Sequence, residues 1–287
     1  MAIIRAVGIC AKPNSTAASQ LVPGLLDWLH GRGISIRCDE QTAFYAGGVE
    51  GLPRPEVPEG CDLVIVLGGD GTLLSAARAI GKREIPLFPV NLGGLGFLTA
   101  ITREELYPEL ERCFRGEQRV AKRKLLHAEV LRKGEIVASY EALNDAVLTK
   151  ADLARMIDLD AYVDEQLVCA YKADGLIICS PTGSTAYSLS AGGPIIFPSV
   201  PAICLTPICP HMLANRPVLV PQTSVIRVLA HGPDGSIYLT IDGQVGNPIC
   251  DGDTIVCRSS AFSLLLIRPP QMMFFDVLRQ KLNWGKR

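Results

Sequence analysis

Asp62-Leu63-Val64-Ile65-Val66-Leu67-Gly68-Gly69-Asp70-Gly71-Thr72 reads as an apolar strand that turns sharply and opens a helix over 72–81. The glycines Gly68, Gly69 and Gly71 let a backbone approach a ligand closely, and the helix start beyond them offers N–H groups and positive dipole to anionic oxygens. That is a phosphate cradle. A carboxylate inside it would repel phosphate, so Asp70 must serve a further purpose, either accepting a proton from a hydroxyl or gripping a divalent metal that bridges to phosphates. An ordinary glycine-rich turn would not need Asp70. No Lys-Ser or Lys-Thr follows the glycines, and the G-x-G-x-x-G spacing is absent, which removes the two commonest nucleotide-binding fingerprints.

Outward from this stretch the first third alternates: strand near 3–10, helix within 15–31, strand near 34–38, strand 62–67, helix 72–81, strand 86–90. Such alternation predicts a mostly parallel sheet with helices on its faces. Pro23 is predicted to break or kink the first helix, and the glycines and prolines of 45–60 predict a flexible loop. Thr102-Arg-Glu-Glu105 has capping-box spacing and predicts a helix toward Arg115, although Pro108 sits inside it. Past the basic stretch Arg119–Lys124 the texture changes to strands at 125–132, 156–164, 175–179, 225–230, 236–241, 254–258 and 263–267. Within Met156–Asp164 the residues Ile157, Leu159, Ala161 and Val163 alternate with polar neighbours and Tyr162. The fold class is therefore an α/β N-terminal domain over 1–121 and a β-rich, sandwich-like domain over 122–267. A closing helix over 271–284 would place Phe274, Val277, Leu278 and Leu282 on one face.

With 287 residues, 48% of them hydrophobic and 20% charged, the chain fits a soluble globular enzyme of about two domains. Its net charge of −1 gives no broad attraction for nucleic acid, and none is expected as a partner. No apolar run approaches a membrane span, and Met1–Cys10 reads as a strand rather than a secretory leader. The expected compartment is the cytoplasm. Ten cysteines are scattered without a C-x-x-C pair, and the four histidines show no ligand spacing; reduced, buried thiols are expected rather than disulfides or zinc.

Three further stretches carry chemistry. Asn91-Leu-Gly-Gly-Leu-Gly-Phe97 follows the strand 86–90, where open α/β sheets place ligands, with Phe97 set to pack on a base or to plug a domain interface. Asp174-Gly-Leu-Ile-Ile-Cys-Ser-Pro-Thr-Gly-Ser-Thr-Ala-Tyr-Ser-Leu-Ser-Ala-Gly-Gly-Pro194 runs from a strand into a segment dense in hydroxyls: Ser180, Thr182, Ser184, Thr185, Ser188 and Ser190. Together with the flat face of Tyr187, this suits ribose and base recognition, and the regular interleaving of Ala186, Leu189 and Ala191 argues against a floppy linker. Asn144-Asp145 could form a fork to ribose hydroxyls or a simple turn, and the residues alone leave both open. Asp242-Gly-Gln244 reads as a hairpin turn, and Arg155 and Lys172, taken singly, as surface charges.

Taken together, Gly68–Thr72, Asn91–Phe97, Leu143-Asn-Asp145, Asp174-Gly-Leu-Ile177 and Pro181–Pro194 resemble the NAD kinase family in order and spacing. The glycine-aspartate loop is shared with diacylglycerol and sphingosine kinases and phosphofructokinases; the Pro181–Pro194 segment is the more specific. The resemblance implies a tail, 268–287, that returns to the first domain, NAD bound between the domains, and phosphoryl transfer from ATP to the 2′-hydroxyl of the adenosine ribose. It implies Asp70 as proton acceptor and Gly71 beside it, with Gly68, Gly69, Gly71 and Thr72 as the phosphate loop. Asn144 and Asp145 would hold the adenosine side. Asp174, Thr182, Thr185, Ala186, Tyr187, Ser188, Leu189 and Ser190 would line the nucleotide pocket, with Arg155, Lys172 and Gln244 contributing. Where this chain has Asp145 the family often has Glu, and where it has Lys172 often Arg, which changes reach and removes a bidentate fork. The resemblance also implies a homodimer or homotetramer. Phosphoryl transfer calls for a divalent cation, Mg²⁺ carried mainly by the nucleotide. The competing expectations are a lipid kinase, disfavoured by the missing membrane anchor, and a non-catalytic dinucleotide sensor.

Overall fold

Apolar runs closed by glycine or a polar cap set the first elements: β1 (Ala6–Ala11), α1 (Thr16–His30), β2 (Ser35–Cys38), α2 (Glu40–Tyr45), β3 (Leu63–Leu67), α3 (Asp70–Ile80), β4 (Leu87–Val90) and α4 (Leu106–Phe114). The computed structural model describes residues 4–48, 50–151, 156–270 and 273–284. The chain divides into two units, Met1–Lys122 with Leu264–Arg287, and Arg123–Ser263.

In the first unit β2, β1, β3 and β4 pair in parallel in that order, with Val7 opposite Leu63 and Val64 opposite Leu87. Every residue of β3 is buried, which explains its unbroken apolar sequence. The chain leaves β1 toward β2 and then returns to β3 on the other side. The carboxyl ends of β1 and β3 thus flank a topological switch point, the place where open α/β sheets bind ligands. The Lys12 N–H bonds to the Leu67 carbonyl at 2.8 Å across this point. Ser15 caps α1, its hydroxyl accepting the Ala18 N–H, and Val22, Leu25 and Leu29 face the core with Leu67, Phe88 and Leu106.

The second unit is built almost wholly of strands: β5 (Arg119–Arg132), β6 (Glu135–Ala142), β7 (Asp145–Lys150), β8 (Ile157–Val163), β9 (Gln166–Ala173), β10 (Gly175–Cys179), β11 (Ala202–Ile208), β12 (Val218–Pro221), β13 (Ile226–His231), β14 (Ile237–Ile241), β15 (Val245–Ile249) and β16 (Thr254–Arg268). One short helix, α5 (Tyr187–Ser190), interrupts them, and α6 (Phe274–Leu282) follows in the tail. One sheet runs β12-β11-β10-β7-β14-β15, all antiparallel. Against it stand β13, β8 and β9 with β5, β6 and the first part of β16, and one shared core joins both sets through Leu148, Ile178 and Leu205 on one side and Leu159, Val228 and Ile255 on the other. This is a sandwich, with alternate residues of each strand turned inward. The outer face of β10 is buried too: Ile177 and Cys179 pack with Val147, Cys204 and Ile196, the last from the segment after β10. Burial on both faces accounts for the apolar run Leu176–Cys179.

Several expectations need correction. Helix α1 runs unbroken through Pro23, which is exposed, so water can reach the carbonyl its missing N–H leaves unbonded. Of the expected loop 45–60, residues 52–57 are fastened rather than loose: Leu52 bridges to Asp39, Arg54 lies in a 3₁₀ turn, and Val57 is buried. The basic stretch Arg119–Lys124 already belongs to β5, and the patterns at 254–258 and 263–267 are one strand, β16. The Thr102–Glu105 capping bonds form in both directions, but the helix begins at Leu106. Buried thiols hold for most cysteines, although Cys209 is exposed and Cys169 and Cys250 are half-buried. None of the described helices is long and apolar enough to cross a membrane.

Candidate active site

In the first unit, Gly69 is the N-cap of α3 and Asp70 its first residue, so the carboxylate stands at the positive end of the helix dipole. Gly68 is obligatory: a Cβ there would lie 2.4 Å from Thr72 Oγ1. Asp70 does not face empty space. Its Oδ2 accepts the Phe97 N–H at 2.9 Å, while Oδ1 accepts the Leu98 N–H, the Thr99 N–H and the Thr99 hydroxyl, each at 3.1 Å. Gly96 must be glycine for the same reason, since its Cβ would meet Asp70 Oδ1 at 2.2 Å. Asn91 shapes this loop from inside, donating through Nδ2 to the Gly94 and Thr99 carbonyls and accepting the Gly93 N–H at 2.8 Å. The two glycine-rich stretches read separately in the sequence are thus one assembly, joined through Asp70. Phe97 is half-buried, with Lys281 Nζ 5.9 Å from its ring centre. Gly71 is exposed and Thr72 half-buried.

Two residues that sequence reasoning missed brace the cradle. Asp39 caps α2, its Oδ1 accepting the Thr42 N–H at 2.8 Å, and pairs with Arg54 through the Nε–H at 2.9 Å. Arg54 also donates to the Ala11 carbonyl and to Ser75 Oγ at 3.1 Å, tying the end of β1 to α3. No local pattern connects positions 39, 54 and 75.

In the second unit, Asn144 and Asp145 form a knot with residues far away in sequence. The Asp242 carboxylate accepts three consecutive backbone N–H groups, Leu143 at 2.9 Å, Asn144 at 2.7 Å and Asp145 at 3.1 Å. Ser180 closes the other side, its N–H on the Asn144 carbonyl at 2.8 Å and its hydroxyl on the Leu143 carbonyl at 2.6 Å. Gly183 fits against the same peptide with no room for a Cβ, which would fall 2.1 Å from the Asn144 oxygen. Asp145 opens β7 and is 4% exposed; burial first, and then the nearby Asp242 charge, push its carboxyl up to about 7. Asp242 is also the hairpin residue expected: φ is +51° there and +65° at Gly243, and the Gln244 N–H closes the turn on Ile241.

The hydroxyl-rich segment divides by role. Ser184 donates to the Pro181 carbonyl and accepts the Ile196 N–H, and Ser188 bonds Thr206 Oγ1 at 2.9 Å; both are fully buried and hold the segment on the sheet. Thr182 is buried, and Thr185 bonds back to its carbonyl. Ala186 and Leu189 are half-buried, whereas Tyr187 and Ser190 are exposed and available to a ligand.

Lys172 and Asp174 are not brought to this knot. The register sets Cys179 opposite Asp145 and Gly175 opposite Thr149, so Asp174 lies at the far end of β10, roughly 17 Å away at about 3.3 Å per residue. There Asp174 pairs with Lys150 at 2.7 Å, and Lys172, exposed, stands 3.8 Å from Asp158. Arg155 lies outside the described residues.

Family models agree with this architecture. The model described as ATP-NAD kinase N-terminal domain matches residues 7–118, and that described as ATP-NAD kinase C-terminal domain matches residues 143–269. A NAD kinase of Solibacter usitatus (strain Ellin6076) is 76% identical over the full length of both chains. A NAD kinase of Koribacter versatilis (strain Ellin345) is 44% identical over 99% of this chain and 100% of its own. Among solved structures, an NAD kinase from Archaeoglobus fulgidus in complex with ATP superposes with a TM-score of 0.79 at 25% identity, covering 98% of this chain and 100% of that one. Yeast NADH kinase complexed with NADH shares the fold, with a TM-score of 0.93 at 24% identity over 100% of this chain and 90% of its own. With both halves matched and full-length relatives at this identity, the chain belongs to the NAD kinase family.

Proposed function

We propose that this chain transfers the γ-phosphoryl group of ATP to the 2′-hydroxyl of the adenosine ribose of NAD, making NADP. The observation that carries the reading is Asp70: a carboxylate at the first turn of α3, at the switch point of a parallel sheet, oriented by four donors from residues 97–99. Asp70 is the proton acceptor in this proposal. A carboxylate oxygen offers about two lone-pair sites; three donors converge on Oδ1 while Oδ2 accepts only the Phe97 N–H, so Oδ2 keeps a position for the substrate hydroxyl. The α3 N-terminus, with Gly68, Gly69 and Gly71, takes the phosphoryl oxygens.

Asn144 and Asp145, held by Asp242 and Ser180, take the ribose hydroxyls. Tyr187 and Ser190 supply the accessible edge of the nucleotide pocket, with Thr182, Thr185, Ala186, Ser188, Leu189 and Gln244 around them. Lys172 and Asp174 stand apart from this set within one chain, which favours a dimer or tetramer in which another copy brings them to the ligand. Among the described residues no group of three or more Asp, Glu, His or Cys side chains could cage a cation. A divalent ion such as Mg²⁺ would be held mainly by the nucleotide's phosphates, with Asp70 the carboxylate standing at the α3 cradle. Such an ion, when bound, neutralises charge on the phosphoryl oxygens. The division of labour follows residues 1–121 with the tail for the phosphate loop and 122–267 for NAD, and the reading places the enzyme in the cytoplasm.

The test is direct: purified protein with NAD, ATP and Mg²⁺ is scored for NADP, and the assay is repeated with a diacylglycerol acceptor in place of NAD. NADP formation without lipid phosphorylation is expected. Lipid phosphorylation, or binding of NAD without turnover, would overturn the reading.

A further inference from the structure

Arg268 ends β16 in the first unit and is only 7% exposed. A guanidinium carries five N–H donors, and burying them unmet is costly. Among the described residues its side chain makes a single hydrogen bond, from Nη1–H to the Phe97 carbonyl at 3.3 Å. The Phe97 N–H meanwhile bonds Asp70, so one peptide residue separates the buried cation from the proposed base. The register places Arg268 at the edge where the cradle lies. Leu266 sits opposite Leu87 and Pro89 opposite Val66, all in parallel, so Arg268 is level with the ends of β4 and β3. The charges around it are unbalanced. Burial and the positive Arg119 both act against the charged form of Arg268, and Asp70 acts in its favour. Arg119 is exposed and donates to Met273 Sδ.

A cation with one hydrogen bond among the described residues and its remaining N–H donors open to the surface, beside a second cation and level with an anion cradle, is an arrangement that an anion completes. We propose that Arg268 binds phosphoryl oxygens of the donor nucleotide, a site that rests on the phosphotransfer reading above. The planar fork of Arg268 suits two oxygens of one phosphate, and the α3 N-terminus acts on the same charge. A merely structural Arg268 would do no more than hold the Phe97 carbonyl.

The experiment measures steady-state kinetics for ATP and NAD, calorimetric binding of inorganic tripolyphosphate, and Tm, for the wild type, Arg268→Gln and Arg268→Lys. Arg268→Gln is expected to raise the KM for ATP by about tenfold or more and to weaken tripolyphosphate binding by a similar factor, with the KM for NAD unchanged within about twofold. Arg268→Lys keeps the charge but loses the fork, and is expected to fall between the two. An unchanged ATP KM and tripolyphosphate affinity, or equal rises for ATP and NAD, would reduce Arg268 to a brace for residue 97. If Arg268→Gln does not fold, Arg268→Lys decides, since an ATP-selective rise supports the site and its absence overturns it. A wild type that binds tripolyphosphate but makes no NADP would overturn the function while leaving the anion site to be judged by its variants.

Discussion

Gly183→Ala is the sharpest perturbation available in the second unit. The added methyl would lie 2.1 Å from the Asn144 oxygen, 2.5 Å from its carbonyl carbon and 2.8 Å from its Cα, and all three are backbone atoms with no rotamer to escape into. Carbon contacts settle near 3.5 Å, so the two segments must part by at least about 1 Å. The Asn144 carbonyl also receives the Ser180 N–H at 2.8 Å, and that bond opens as they part. Overpacking costs roughly 1–3 kcal/mol and a buried, unmet carbonyl about 1–3 kcal/mol. The expected total is about 2–6 kcal/mol, read as a Tm lower by roughly 5–15 °C. Because the displaced peptide carries Asn144 and leads into Asp145, kcat/KM for NAD should fall by on the order of 10²-fold. Scanning calorimetry with NADP-forming kinetics checks both numbers. Gly24→Ala serves as control: its Cβ would meet only Tyr107 Oη at 3.5 Å, and a helix interior gains about 0.5–1 kcal/mol from the change. A Gly183→Ala protein matching wild type in Tm and in kcat/KM would refute the reasoning.

Asp70→Asn should nearly abolish turnover while NAD still binds, and should lower Tm as well, because an amide NH₂ would face donors from residues 97–99; unchanged kcat would remove the base role. Asp145 makes the fold sensitive to pH. Its folded-state carboxyl titrates near 7, above the unfolded value, so it opposes folding as pH rises from about 4 to about 7 and continues to do so above that. Asp145→Asn should therefore gain stability over wild type across that window, by up to about 4 kcal/mol, in parallel denaturant titrations at each pH; a pH-independent difference would show that the carboxyl is not raised. Tyr187→Ala, at an exposed ring, should raise the KM for NAD far more than that for ATP, and equal effects would remove it from the NAD pocket.

Sequence patterns revealed the parts of this molecule whose environment is uniform along the chain. Strands β3 and β10 are buried on both faces and carry continuous apolar runs; β8 is buried on one and alternates. Strands β7, β9, β11, β12 and β15 are not read from the sequence; in β12 the closing Pro221, and in β15 Gly246 with Pro248, disguise them as loop or mixed sequence. The candidate site shows the same division. Asp70 and the 181–194 segment stand out because local residue types already specify a turn or a hydroxyl surface. Asp242 read as a hairpin residue, which it is. Its grip on residues 143–145 arises from the pairing of β14 with β7, and no spacing in the sequence encodes it.

Ser184 and Ser188 spend their hydroxyls on the protein itself, pinning the 181–194 segment over the small apolar patch of Ile177, Cys179 and Cys204. The floor of the proposed nucleotide pocket is therefore the roof of a hydrophobic core. Substitution of Ser184 or Ser188 is therefore expected to change Tm and the KM for NAD together.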